Sequence, residues 1–220
     1  MTRADLTHIY FLLDRSGSMQ SIKTDIEGGF AAFVEEQRRV PGECRVTLAQ
    51  FDDRYDVVYS SVPVAQVPPL DLQPRGRTAL LDAMGRLITS AGDELAALAE
   101  PGRPGTVIVA VMTDGYENAS HEWTHLAIKA LVEQQTEKYS WQFLYMGAEQ
   151  DAIEVGTSLG MAAAASVTYG RDKSRQAMAA AAGKIGKLRR ERIAHAGAAS
   201  AAPAPMMEAF TAEEREALAE

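Results

Sequence analysis

Two apolar runs that each end at an aspartate constrain the fold of this chain more than any other feature. The stretch THIYFLLD spans residues 7–14, and TVIVAVMTDG spans residues 106–115. Runs with so little polar alternation are typical of strands covered on both faces, as in the centre of a parallel sheet. Asp14 and Asp114 are therefore predicted to lie at the carboxyl ends of two buried strands.

Further strands and helices alternate along the rest of the chain. We predict strands at 44–53, 54–64, 140–148 and 165–170, and helices at 21–39, 78–99, 123–138, 151–161 and 172–195. The first two of these strands are separated by a tight polar turn, which predicts a hairpin. The alternation as a whole indicates an α/β fold with a doubly wound sheet flanked by helices.

The domain is predicted to occupy residues 1–195, since 220 residues suit one domain with an extension. Small residues and prolines follow it in AGAASAAPAPMM, a composition typical of a flexible linker. The last segment, FTAEEREALAE, carries a capping box formed by Thr211 and Glu214. We therefore expect residues 196–220 to form a linker and a short C-terminal helix.

Composition and charge argue against several classes of protein. The net charge is −8 and the isoelectric point is about 5.1, whereas nucleic-acid binding needs a basic face. The single cysteine, Cys44, allows no disulfide within the chain. No apolar run approaches the roughly 18 residues of a membrane span, and the N-terminus lacks a signal-peptide cleavage site. We expect a soluble, cytoplasmic protein with no nucleic-acid partner and no membrane span.

Oxygen-bearing side chains accompany both acid-terminated strands. Ser16 and Ser18 follow Asp14 in the pattern D-x-S-x-S, Thr78 stands at a loop-to-helix junction, and Asp114 ends the second strand. In doubly wound sheets, ligands bind at the carboxyl ends of the strands. Hard oxygen donors without sulfur or imidazole suit Mg²⁺, Mn²⁺ or Ca²⁺ rather than Zn²⁺. We expect such an ion to keep one position open for an incoming acid.

The same hydroxyl groups have a simpler structural interpretation. Ser18 or Ser21 could cap the first helix, and Thr78 could cap the second, because serine and threonine are favoured N-cap residues. Capping and metal binding can coexist at one residue, so the sequence leaves both open.

The motifs resemble those of von Willebrand factor type A (VWA) domains with a metal-ion-dependent adhesion site (MIDAS). That family carries D-x-S-x-S after its first strand, a threonine in a loop before a helix, and an aspartate in T-D-G after its fourth strand. The matching positions here are Asp14, Ser16, Ser18, Thr78 and Asp114. The resemblance covers about residues 6–195 and implies a mostly parallel central sheet with one antiparallel edge strand.

The resemblance also implies how the site would work. Ser16, Ser18 and Thr78 would bind the metal directly, while Asp14 and Asp114 would act through water. The open metal position would take an aspartate or glutamate from a partner protein, so the chain would be a binding module and not an enzyme. The missing signal peptide and the lack of cysteine pairs make it look closer to the intracellular prokaryotic members than to the secreted ones.

A second motif, HEWTH at residues 121–125, competes with this interpretation. On a helix, His121 and His125 would share a face and could bind zinc, with Glu122 as the base of a peptidase. The residues that follow do not continue the motif, which leaves Glu149 or Glu154 as distant candidates for a third ligand. A scaffold whose metal site is vestigial is the third alternative.

Overall fold

The computed structural model describes residues 2–148, 150–198 and 203–219. Its strands are β1 (Arg3–Asp14), β2 (Glu43–Phe51), β3 (Tyr55–Pro63), β4 (Pro104–Thr113), β5 (Gln142–Ala148) and β6 (Ser166–Tyr169). Its helices are α1 (Lys23–Arg39), α2 (Leu80–Ala97), α3 (His125–Tyr139), α4 (Ala152–Ser158), α5 (Ser174–Gly197) and α6 (Ala212–Ala219). Each predicted strand and helix has a counterpart, with ends shifted by a few residues.

The strands form one six-stranded sheet in the order β3-β2-β1-β4-β5-β6. The β2–β3 hairpin is antiparallel, and the other four neighbouring pairs are parallel. This arrangement confirms the predicted mostly parallel sheet with one antiparallel edge strand. The strand order reverses between β1 and β4, which is where sheets of this type bind ligands. Asp14 ends β1 and Asp114 follows β4, so the two acids flank that switch point.

The side chains of β1 fill two separate cores, one on each face of the sheet. Ile9, Phe11 and Leu13 pack in the core that includes side chains of α1 and α5. Tyr10 and Leu12 pack in the opposite core, which includes side chains of α2 and α3. Each such side chain contributes roughly 1.5–3 kcal/mol when fully buried. The unbroken apolar run therefore reflects burial on both faces.

Helix α5 contains the basic sequence KIGKLRRER, and three of its basic side chains are buried: Lys184, Arg189 and Arg192. Arg189 Nη1 donates to the carbonyl oxygen of Gln37 on α1, at 2.8 Å. Arg192 Nε donates to the carbonyl oxygen of Pro205, at 2.9 Å. The first contact joins α5 to α1, and the second joins α5 to the C-terminal segment. Within the described residues, no helix is both long and apolar enough to cross a bilayer.

The described part of the C-terminal extension, residues 203–219, packs against the domain. Phe210 and Leu218 are buried in the core on the α1–α5 face. Lys184 Nζ lies 2.7 Å from Glu214 Oε2 and so connects α5 to α6. Residues 199–202 of the predicted linker lie outside the described residues, and the boundary at residue 195 stays a prediction.

The predicted capping box of the last helix is present. Thr211 N–H donates to Glu214 Oε2 at 2.8 Å, and Glu214 N–H donates to Thr211 Oγ1 at 3.2 Å. The two residues thus satisfy each other's backbone donors at the start of α6.

Candidate metal site at the switch point

Asp14 is fully buried and is held by neutral donors. The backbone N–H of Ser16 donates to Asp14 Oδ1, and the hydroxyl of Thr113 donates to Asp14 Oδ2, each at 2.6 Å. Thr113 reaches Asp14 because β1 and β4 pair in parallel register up to Leu13 and Met112, the residues just before these two. Burial raises the pKa of Asp14 to about 6, and the negative charge of Asp114 adds to the increase.

A chain of hydrogen bonds connects Asp14 to Asp114. Ser16 Oγ lies 3.0 Å from Ser18 Oγ, and the Ser18 hydroxyl donates to Asp114 Oδ1 at 2.6 Å. The two serines belong to the loop and 3₁₀ turn that follow β1. Four of the five predicted ligands are thus joined across the switch point.

Thr78, the fifth predicted ligand, lies beside this chain. Its N–H donates to Asn118 Oδ1 at 3.1 Å, and the Asn118 N–H donates back to the Thr78 carbonyl oxygen at 3.0 Å. A Cβ atom placed on Gly115 would lie 2.9 Å from Thr78 Oγ1 and 3.8 Å from Ser18 Oγ. The two hydroxyls therefore border the same small space, which a side chain at residue 115 would fill.

The helix-cap interpretation of these hydroxyls is wrong. Ser16 precedes the 3₁₀ turn at Gly17–Ile22, but its side chain makes no capping hydrogen bond. The N-cap residue of α1 is Ile22, and that of α2 is Ala79; neither makes a side-chain cap. Instead, Ser16 Oγ pairs with Ser18 Oγ, the Ser18 hydroxyl donates to Asp114, and the Ser21 hydroxyl donates to the Ser18 carbonyl oxygen.

Beside the candidate site, Asp52 forms an ion cluster that the sequence analysis did not identify. Asp52 is fully buried, and its Oδ2 accepts from Arg15 Nε at 2.9 Å and from Arg75 Nε at 2.8 Å. Burial opposes the ionisation of Asp52, but hydrogen bonds from Arg75, the Arg54 amide and Arg15 hold its pKa below the usual range. The cluster ties the loop after β1 to the loop that carries Thr78.

Backbone hydrogen bonds strengthen the same connection. Gly17 N–H donates to the Gly76 carbonyl oxygen at 3.2 Å, and Arg75 N–H donates to the Arg15 carbonyl oxygen at 2.8 Å. Gly76 has φ +68°, a backbone conformation that favours glycine. The G-R-T sequence thus turns the chain so that Thr78 meets the serine loop.

Arg171 is a further residue at the site that the sequence analysis missed. It lies between β6 and α5, and its Nη1 is 3.3 Å from Asp114 Oδ2. The same nitrogen donates to the Ser18 carbonyl oxygen at 3.2 Å and to Ser21 Oγ at 3.1 Å. No local pattern marks this arginine, because its partners lie in distant segments of the chain: Ser18 and Ser21 precede it by 153 and 150 residues.

The zinc-peptidase alternative requires His121 and His125 to lie on one helix, and this prediction is wrong. Helix α3 begins at His125, with Thr124 as its N-cap residue, so His121 precedes the helix and shares no helical face with His125. Glu122, the predicted base, forms an ion pair with Arg86 at 2.6 Å. The residues of the motif are therefore not arranged as a helical zinc site.

The backbone of the HEWTH segment has a structural role. The N–H groups of His121, Glu122 and Trp123 donate to the Asp82 carboxylate at 2.8, 2.9 and 2.8 Å. This capture of three amides fixes the loop between β4 and α3 to the start of α2. The loop carrying Asp114 and the helix that follows Thr78 are held together as a result.

Among the described residues, acids, histidines and cysteines form no alternative metal site. Within residues 2–148, 150–198 and 203–219, no three His, Cys, Asp or Glu side chains come together in a way that could hold a metal ion. Of the two predicted distant ligands, Glu154 lies in α4, and Glu149 is outside the described residues. The candidate site at the switch point has two carboxylates and three hydroxyls, so it is a different kind of site.

Comparisons with known proteins identify the fold. No protein-family model and no curated protein matches the chain. The pilus adhesin SpaC from Lactobacillus rhamnosus GG, in an open conformation, matches 82% of this chain over 30% of its own, at 12% identity and a TM-score of 0.61. Proximal thread matrix protein 1 from the mussel byssus, solved with a zinc-occupied MIDAS motif, matches 82% over 46%, at 16% identity and a TM-score of 0.57.

A third solved structure, a von Willebrand factor type A protein from Catenulispora acidiphila, matches 85% of this chain over 42% of its own, at 14% identity and a TM-score of 0.52. This chain spans less than half of each of these three solved chains. It has the VWA fold, as the sequence predicted. Identities this low show the fold alone, so the intracellular prokaryotic type and the cytoplasmic location stay predictions.

Proposed function

We propose that this protein is a divalent-metal-dependent protein-interaction module. Ser16, Ser18 and Thr78 would hold the ion directly, and Asp14 and Asp114 would hold it through water. A bound Mg²⁺, or Mn²⁺ or Ca²⁺ in its place, supplies a Lewis-acid position for a carboxylate oxygen of a partner protein. The observation that carries this proposal is the continuous hydrogen-bond chain from Asp14 to Asp114 across the switch point.

The charge arrangement supports a cation at this position. Asp14 is buried with neutral donors on both of its oxygens, and Asp114, the second acid at the switch point, accepts from the neutral hydroxyl of Ser18 on Oδ1. A buried carboxylate is costly unless a positive charge or several donors offset it. Hard oxygen donors favour Mg²⁺, Mn²⁺ or Ca²⁺. The zinc in the mussel protein belongs to that structure, so the choice of metal is part of the test.

The surroundings of the site support binding over catalysis. Nucleophilic serines are activated by a neighbouring base. Among the described residues, Ser16 and Ser18 have hydrogen bonds with each other and with Asp114, and none with a histidine or lysine. Tyr116, two residues after Asp114, leaves 63% of its surface exposed and offers an aromatic contact to a partner.

Water-proton relaxation tests the capture of a carboxylate. The chain loaded with Mn²⁺ is titrated with a short peptide that contains aspartate, and then with the same peptide containing asparagine. We expect the aspartate peptide alone to lower the relaxation enhancement, because its carboxylate displaces water from the ion. Equal effects of the two peptides would contradict carboxylate capture. Failure of the chain to bind Mn²⁺ at all would support the vestigial scaffold.

A further inference from the structure

The guanidinium of Arg171 already supplies a positive charge to an acid of the candidate metal site. Its Nη1 lies 3.3 Å from Asp114 Oδ2, and the Asp114 side chain is fully buried. The other oxygen, Oδ1, accepts the hydroxyl of Ser18, one of the predicted direct ligands. A second cation placed near the same carboxylate would be repelled by the first, and repulsion is strong where little water screens it.

We propose that Arg171 is a built-in competitor of the divalent cation at Asp114, and that it thereby sets the metal affinity of the site. This inference rests on the proposed function, since it concerns the same metal. The guanidinium neutralises Asp114 when the ion is absent, and binding of the ion has to overcome that ion pair.

Several contacts hold Arg171 in this position. Its Nη1 donates to the Ser18 carbonyl oxygen and to Ser21 Oγ, both in the loop after β1. The preceding residue, Gly170, donates its N–H to the Leu218 carbonyl oxygen of α6 at 2.7 Å. About two-thirds of the Arg171 side chain is shielded from solvent, with 32% exposed. The charge is therefore fixed at the site by both the serine loop and the C-terminal helix.

Arg175 provides a matched control for the loss of one positive charge. It lies one helical turn further along, and its Nη2 is 3.3 Å from Asp25 on α1. Both side chains of that pair are about half exposed, at 56% and 48%. Arg175→Gln removes the same charge from the same end of α5 without touching Asp114.

Isothermal titration of Mn²⁺ tests the competition. We expect Arg171→Gln to tighten Mn²⁺ binding about tenfold, because Asp114 loses its internal cation. Arg171→Lys retains the charge and should stay within about threefold of the wild type. Arg175→Gln should bind like the wild type. Thermal unfolding gives a second readout: Arg171→Gln should melt lower than the wild type in EDTA and gain more from added Mn²⁺.

A variant with a smaller structural change tests the same competition if Arg171→Gln does not fold. Ser21→Ala removes one partner of the guanidinium and leaves every charge in place, so we expect about twofold tighter binding. The competition is overturned if these variants fold and bind Mn²⁺ no more tightly than the wild type. Absence of Mn²⁺ binding in the wild type and in all variants would instead overturn the proposed function itself.

Discussion

Two aspartates at the ends of neighbouring strands are both fully buried, yet the protein holds them in opposite ways. Asp52, after β2, accepts hydrogen bonds from the guanidinium groups of Arg15 and Arg75, and its pKa lies below the usual range. Asp14, at the end of β1, accepts from neutral donors, and burial raises its pKa to about 6. Asp52, which two guanidinium groups neutralise, therefore has a structural role, whereas Asp14, which is held by neutral donors, suits an external cation.

The largest effect is expected from Asp52→Asn. The change leaves the buried guanidinium of Arg15 without its buried carboxylate, which should lower the free energy of unfolding by about 3–5 kcal/mol. Urea denaturation measures the loss. Asp56→Asn is the control, because Asp56 also pairs with Arg15 but is 54% exposed, and its loss should cost less than about 1 kcal/mol. Equal losses in the two variants would contradict the structural role of Asp52.

Asp14→Asn should raise the free energy of unfolding of the metal-free protein, whereas Asp52→Asn lowers it. Because the folded state raises the pKa of Asp14, the ionised acid destabilises the fold at neutral pH, and stability rises as the pH falls from about 6 to about 4. Asparagine removes that charge and should stabilise the chain by about 1–3 kcal/mol at neutral pH in EDTA, with a flatter pH dependence.

Urea denaturation of the Asp14→Asn variant at two pH values checks this sign. Asp52 acts in the other direction, since its lowered pKa gives stability that is lost as the pH falls below about 4. If Asp14→Asn destabilised the metal-free chain at neutral pH as much as Asp52→Asn, the contrast between the two acids would be wrong.

Thr78→Ala should weaken Mn²⁺ binding about tenfold with little change in fold stability, because its hydroxyl borders the space beside Gly115. Thr124→Ala is the matched control. It removes the cap of α3, which should cost about 1 kcal/mol of stability and leave the Mn²⁺ affinity unchanged. Titration calorimetry and thermal unfolding of both variants separate the two roles. A Thr78→Ala variant that binds Mn²⁺ normally would remove Thr78 from the ligand set.

The smallest effect is expected from Glu122→Gln in the HEWTH segment. Its ion pair with Arg86 is exposed on both sides, so stability should change by less than about 1 kcal/mol. Mn²⁺ affinity should not change. A peptidase assay with added Zn²⁺ is the check, and a zinc-dependent activity that disappears in Glu122→Gln would restore the peptidase alternative.

The sequence predicted the central strands and their acids because burial on both faces leaves a clear apolar pattern. It also predicted Thr78 as a ligand, through the resemblance to VWA domains. The HEWTH interpretation was wrong because its spacing suits a helix, whereas Asp82 binds the amides of residues 121–123 and keeps that segment outside α3. Tertiary contacts here override local pattern.

Contacts between distant segments account for what the sequence did not predict. Arg171 lies 153 residues along the chain from Ser18, and Asp52 lies 37 residues from Arg15. These contacts depend on the strand order and on the docking of the C-terminal segment, and no local sequence motif predicts either of them. Thr113 and Asn118, which orient Asp14 and Thr78, were not identified as part of the site for the same reason: they lie 99 and 40 residues from these partners.

Electron paramagnetic resonance of bound Mn²⁺ tests whether the switch point holds a divalent cation. Wild type is compared with Asp14→Asn and with Asp151→Asn, a control in which asparagine can still cap α4. We expect about one Mn²⁺ per wild-type chain, displaced by excess Mg²⁺, absent in Asp14→Asn and retained in Asp151→Asn. Wild type that binds no Mn²⁺, or an Asp14→Asn variant that binds it as tightly as the wild type, would contradict the account.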